Sequence, residues 1–361
     1  MKNNKNNSLD IKSQCKKTCF NVTDSGINFV LSLILPMVAA LVLVLLYAFF
    51  ARLSGSNYET FSKTDAALII SLIYTPLIFL FIYLIYCRVC AYDPIKSAGF
   101  ISKLDYKKVI IVVAIGVVAG FLVSPLISMF DHLYSFLGYN PDNSLPYVMD
   151  NGVKYVVGLI AMAVVPAVCE EIMFRGLIQK GLMTKFNPHI AIIMSSAMFT
   201  LLHGSLQQTA FQFILGLALG YVAYYCGSVS YSILLHFVNN AIVVTISFIY
   251  TLTNVDVNKE TVSYSSAWDY IYPILLFILA AAIIVGLMFL INYINKKFGN
   301  KDEGVENQNT ALSTENQIAE QNVQPLQNKT KQLTSNETVW LVFGFVLGVV
   351  IWVSNTFISF W

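Results

Sequence analysis

Charge is scarce in this chain. Its 361 residues include 22 Lys and Arg and 20 Asp and Glu, a charged share of 12%, where an ordinary soluble domain carries about 25%. That deficit excludes a soluble core of this size. With 57% hydrophobic residues, most of the chain is expected to face lipid. The segments predicted to lie outside the cell hold no cysteine, so no disulfide framework is implied. The single-helix zinc signature HExxH is missing. No internal repeat recurs at a fixed period, and without inverted repeats a transporter fold is disfavoured.

What the chain does have is apolar runs of bilayer length, roughly 17–25 residues. Nine are read, at approximately 26–50, 65–88, 109–130, 154–179, 189–204, 209–226, 231–252, 268–294 and 338–360. A lipid-exposed backbone must satisfy its own hydrogen bonds, so each is expected to be a helix. The predicted fold is therefore an all-α, polytopic transmembrane helix bundle of about nine spans. Around it, residues 1–25 read as a polar cytoplasmic arm and 26–153 as N-terminal helices with an outer loop. A compact four-helix core covers 154–252, an eighth helix lies within 253–294, and a polar Asn- and Gln-rich cytoplasmic linker spans 295–337. The segment 338–361 is a tethered C-terminal helix.

Lys and Arg set the orientation through the positive-inside rule. With the N-terminus in the cytoplasm, the outer segments hold only Arg52, Lys63, Lys154 and Lys259, and almost all other basic residues fall inside. This predicts a multi-pass protein of the cell membrane whose C-terminus is outside. The first apolar run is too long for a secretory signal and lacks a small-residue cleavage site, so it is expected to be retained. Cys87 and Cys90 form one CxxC at a helix end, which alone reads as ordinary packing.

Intramembrane charge costs roughly 2.5–3.5 kcal/mol per residue on insertion scales. The 154–252 block nonetheless carries Glu170, Glu171, Arg175, His203, His236 and Asn240. Such side chains persist if they face one another or a wet cavity. Glu171 and Arg175 are four apart and share a helix face, as do Phe199 and His203, and His236 and Asn240. Glu170 points about 100° away from Glu171. Counted at about 1.5 Å per residue, Glu170 and Asn240 lie roughly 15 Å into the membrane and His203 roughly 20 Å, so three helices can bring the groups to a common level.

Peptide hydrolysis needs an activated water, a polarised carbonyl and a proton for the leaving amine. A desolvated Glu170 suits a general base. His203 suits orientation of the same water, and His236 with Asn240 suits the developing oxyanion. The Glu171–Arg175 pair then reads as structural, fixing the helix rotation. Glu170, His203 and His236 are equally suitable ligands for a zinc ion, and metal-free and metal-dependent chemistry both stay open. Cys169 beside Glu170 is expected to be inert, because burial raises a thiol pKa. A Ser–His dyad from Ser205 or Ser228 with His236 leaves both glutamates unexplained. Gly216 and Gly220 form a GxxxG that reads as close helix packing.

Three spacings together are more specific than any one. Glu170-Glu171-Ile172-Met173-Phe174-Arg175 fits EExxxR, Phe199-Thr200-Leu201-Leu202-His203 fits FxxxH, and His236-Phe237-Val238-Asn239-Asn240 fits HxxxN. In this order, over roughly residues 150–250, they resemble the motifs of the CPBP family, which contains CAAX prenyl endopeptidases (Rce1-like) and bacteriocin-processing or self-immunity proteins. The resemblance implies an intramembrane endopeptidase of the glutamate or metallo type in which Glu170 and His203 activate water and His236 and Asn240 support the oxyanion. Its implied partners are the lipid bilayer and a membrane-associated peptide or protein, CAAX-like or a leader or bacteriocin; nucleic acid is not among them. It also implies a second reading, a non-catalytic scaffold or immunity protein on the same helices.

Overall fold

The computed structural model describes residues 19–101, 103–122, 124–139, 147–253, 265–302 and 332–358. Within these residues there is no strand, and eight helices are long and apolar enough to cross a membrane. A shorter apolar helix, Pro188–His203, makes the ninth expected run. The protein is an integral, multi-pass helix bundle. Its outward faces match that setting: Met37, Leu41, Leu45 and Phe49 on the first helix and Phe289 near the end of a later one are all more than half exposed. A soluble protein would not present such a continuous apolar surface.

The first helix, α1 (Val22–Leu53), starts four residues before the expected apolar run. Asn21 explains the shift. Its side chain accepts from the Asp24 N–H at 3.0 Å, and Asp24 accepts from the Asn21 N–H at 2.8 Å, a reciprocal capping box. The Asp24 carboxylate also accepts from Tyr86 and Tyr92, both at 2.6 Å. Burial, followed by the Asp24 carboxylate, holds the Tyr92 phenol above its ordinary range. The short α2 (Tyr58–Ser62) leads into α3 (Asp65–Val89), capped by Thr64. Next come α4 (Pro94–Ala98), α5 (Tyr106–Leu122) and α6 (Ser124–Ser135), the last two covering the third expected span. Residues 1–18 of the arm, residues 140–146 of the outer loop and residues 303–331 of the linker lie outside the described residues.

The central span, Gly152–Met183, is composite. It runs as α7 (Gly152–Leu159), a π-helical turn (Ile160–Val164), α8 (Val165–Glu171), a second π-helical stretch (Ile172–Gln179) and α9 (Lys180–Met183). Around it stand α10 (Pro188–His203), α11 (Leu206–Cys226) and α12 (Val229–Thr253). Asn187 and Pro188 start α10, and Gly204 ends it at φ 56°. The bundle is completed by α13 (Trp268–Asp302) and α14 (Ser335–Ile358). α13 therefore continues eight residues into the expected linker. α14 packs along α1 and α10: Gly344 would bring a Cβ to 3.0 Å from Phe29, and Gly348 to 3.2 Å from Leu201.

Candidate active site

The register of the central span follows from one residue. Pro166 has no N–H, and its ring crowds the carbonyl four residues back, that of Met162. The backbone here widens, and the Val165 N–H reaches the Ile160 carbonyl five residues earlier. The Met162 carbonyl lacks its α-helical donor. Asn240 of α12 supplies one, its Nδ2 lying 3.2 Å away. The second π-helical stretch begins immediately after Glu171. Such π segments are frequent at functional sites.

Glu171 is fully buried, as is Arg175. Oε1 of Glu171 accepts from Arg175 Nη1 at 2.8 Å and lies 3.0 Å from His236 Nδ1. Arg175 has further partners. Its Nη2 donates to the Gly216 carbonyl at 3.0 Å, and its guanidinium lies 4.7 Å from the centre of the Phe199 ring. One turn on, Gln179 Nε2 donates to the Gly220 carbonyl at 3.0 Å. Gly216 and Gly220 therefore offer more than close packing: without side chains on this face, their carbonyls are reachable by two long polar residues. A Cβ on Gly216 would stand 3.0 Å from Ser196 Cβ, and one on Gly220 would stand 2.8 Å from both Ile192 Cγ2 and Gln179 Oε1.

Glu170 has a different setting. Its side chain keeps 11% exposure, and its Oε2 lies 4.0 Å from His236 Nε2. That is beyond hydrogen-bond range. One imidazole thus faces two consecutive carboxylates, bonded to Glu171 on its Nδ1 edge and open towards Glu170 on its Nε2 edge. His203 ends α10, with its Nδ1 2.9 Å from the Phe199 carbonyl. A carbonyl only accepts, so it sets the ring with N–H at Nδ1 and a lone pair at Nε2. Phe199, buried, contacts both imidazoles, at ring separations of 4.7 Å from His203 and 6.1 Å from His236. Glu170, Glu171, Arg175 and His236 are directly clustered; Phe199 links His203 to them, and Asn240 is joined through the Met162 backbone.

Two of the competing nucleophiles, Ser228 and Cys169, are occupied elsewhere or buried. Ser228 Oγ donates to the Gly99 carbonyl at 2.9 Å. Cys169 is a buried free thiol. Among the described residues no three His, Cys, Asp or Glu side chains come together as a metal-ligand set.

Residues 152–242 match the family model of the type II CAAX prenyl endopeptidase Rce1-like proteins. The chain carries an Rce1-like domain. No curated protein and no solved structure matches it. The Rce1-like domain begins at the N-terminus of α7 and ends in α12, two residues beyond Asn240. All three motifs that suggested the CPBP resemblance fall inside it. Sequence reasoning placed Glu171 with Arg175 as a structural pair, and that bond is present; the contact it did not give is the one that joins His236 to Glu171. Seeing this from the sequence would have required the rotation of α12 against α8, which no spacing within either helix contains.

Proposed function

We propose that the protein is an intramembrane endopeptidase that hydrolyses a peptide bond of a membrane-associated substrate. The observation that carries this reading is the position of His236 between Glu171 and Glu170, at 3.0 and 4.0 Å. Glu171 holds Nδ1–H and so fixes the ring's tautomer and orientation, the role an acid plays behind a catalytic histidine. Glu170 has no such commitment at the histidine and keeps lone pairs for a water. It removes a proton as the water oxygen attacks the scissile carbonyl, and returns that proton to the amine as the C–N bond breaks. His203 Nε2 accepts a hydrogen bond from the same water. Asn240 uses one amide N–H on Met162 and has a second to donate to the oxyanion, and His236 adds an N–H there when protonated. Arg175 pairs with Glu171 and does not touch the substrate.

On this reading the N-terminus is cytoplasmic and the protein resides in the cell membrane. The substrate class is CAAX-like or a leader or bacteriocin peptide. The test is reconstitution in liposomes with quenched fluorogenic peptides, one set ending in a farnesylated CAAX sequence and one resembling leader peptides. Cleavage by the wild type that Glu170→Gln abolishes supports the reading. Cleavage unchanged in Glu170→Gln removes the proposed base and leaves the scaffold reading. Activity is expected to persist through dialysis against a chelator; loss restored by zinc would make the reaction metal-dependent.

A further inference from the structure

The last helix, α14, lies outside the Rce1-like domain, yet it reaches the turn on which His203 stands. α10 ends at His203, and only Gly204 and Ser205 separate it from α11. This two-residue break is poorly secured by itself. Ser205 caps α11 without a side-chain hydrogen bond, and Gly204 is in the left-handed region. The support comes from elsewhere. Thr209 Oγ1 donates to the Ser205 carbonyl at 2.7 Å, and the same oxygen accepts from Trp352 Nε1 of α14 at 2.9 Å. Indole N–H, threonine hydroxyl and turn carbonyl form one directed chain. One turn along α14, Asn355 closes on Gly204: a Cβ there would lie 2.5 Å from Asn355 Nδ2. At the other end of α14, Glu337 Oε2 is 3.3 Å from Lys185 Nζ, just ahead of α10. α14 is thereby attached at both ends of the helix that carries Phe199 and His203.

We propose that α14 is a positioning element of the site, and that Trp352 acts through Thr209 to hold the α10–α11 turn so that the His203 imidazole keeps its place. This rests on the endopeptidase reading for its catalytic consequence, but not for its structural one. A hydrogen bond in an apolar surrounding is stronger than in water and has few substitutes if lost. Trp352→Phe keeps an aromatic ring on α14 and removes the indole N–H; Thr209→Val keeps the shape and removes the hydroxyl. Both are made in the full chain, alone and together.

The first readout needs no substrate: amide hydrogen exchange of the 203–209 segment in liposomes. Each single variant is expected to speed exchange there while the 165–179 segment stays as in the wild type. The double variant should be no faster than the Thr209→Val protein, because the tryptophan acts through the threonine. The second readout is peptide cleavage, where displacement of a reacting group lowers kcat on the order of tenfold or more with KM unchanged. Exchange at 203–209 that is unaltered by Trp352→Phe, or effects of the two variants that simply add, would overturn the proposal. So would a rise in KM with kcat constant, which marks a substrate contact instead. Should Glu170→Gln retain full cleavage, the endopeptidase reading fails, and the exchange result alone still decides whether α14 holds the turn.

Discussion

His236 Nδ1 lies 3.0 Å from Glu171 Oε1, and the same oxygen holds Arg175 at 2.8 Å. A single carboxylate oxygen therefore neutralises a buried guanidinium and orients an imidazole on another helix. Removing it strands both. Glu171→Ala is expected to destabilise the protein by about 3–5 kcal/mol, the range for breaking a buried ion pair from one side. Glu171→Gln keeps the shape and a carbonyl acceptor, so it should fold better than the alanine variant yet lose most activity through the misoriented His236. Thermal unfolding in detergent and peptide cleavage separate these effects. An alanine variant as stable as the wild type would contradict the buried pairing.

Glu170 presents the opposite profile. His236 Nε2 is 4.0 Å from its Oε2, beyond hydrogen-bond range, and its side chain retains some exposure. Glu170→Gln is therefore expected to leave the unfolding temperature nearly unchanged and to lower kcat by about 10²–10⁴, the usual contribution of a positioned acid–base group. A large loss of stability in this variant would show that Glu170 supports the fold instead.

Much of this was readable in the sequence, for a physical reason. Charged and amide groups in an apolar span are costly enough to be conspicuous, and four-residue spacing on a helix puts two of them on one face. Glu171 with Arg175 follows directly from that. Other features depend on geometry between helices. The Glu171–His236 bond depends on how α12 is rotated against α8, and the docking of α14 depends on contacts with α1 and α10, which lie far from it in the sequence. The π-helical turns depend on backbone register, though Pro166 was a visible cause. Gly216 and Gly220 gave a partial signal. Their four-residue spacing matches that of Arg175 and Gln179, and reading the two pairs together would have suggested a ladder of side chain to carbonyl bonds.

That ladder makes a prediction about Arg175. Its guanidinium bonds Glu171 and the Gly216 carbonyl at once while lying on the Phe199 ring. An ammonium is a single point of charge and cannot span these positions. Arg175→Lys keeps the charge but is expected to cost about 2–3 kcal/mol, the scale of a buried hydrogen bond to a charged group. Thermal unfolding measures this, and wild-type stability in the lysine variant would mean that charge alone suffices.

Asn240 offers the sharpest separation of structure from catalysis, because the carbonyl it serves is left open by a proline. Asn240 Nδ2 donates to the Met162 carbonyl at 3.2 Å, four residues before Pro166, which has no N–H to give. Asn240→Ala should therefore cost about 1–3 kcal/mol, the penalty for an unsatisfied buried acceptor. Pro166→Ala restores a backbone donor to the same carbonyl. In that background Asn240→Ala is expected to cost markedly less, so the two substitutions should couple in a double-mutant cycle. Activity follows a different course. If the second Asn240 N–H serves the oxyanion, the double variant regains stability but stays slow, by about 10²–10³ in kcat. Recovery of both stability and cleavage would confine Asn240 to holding the backbone of the central span.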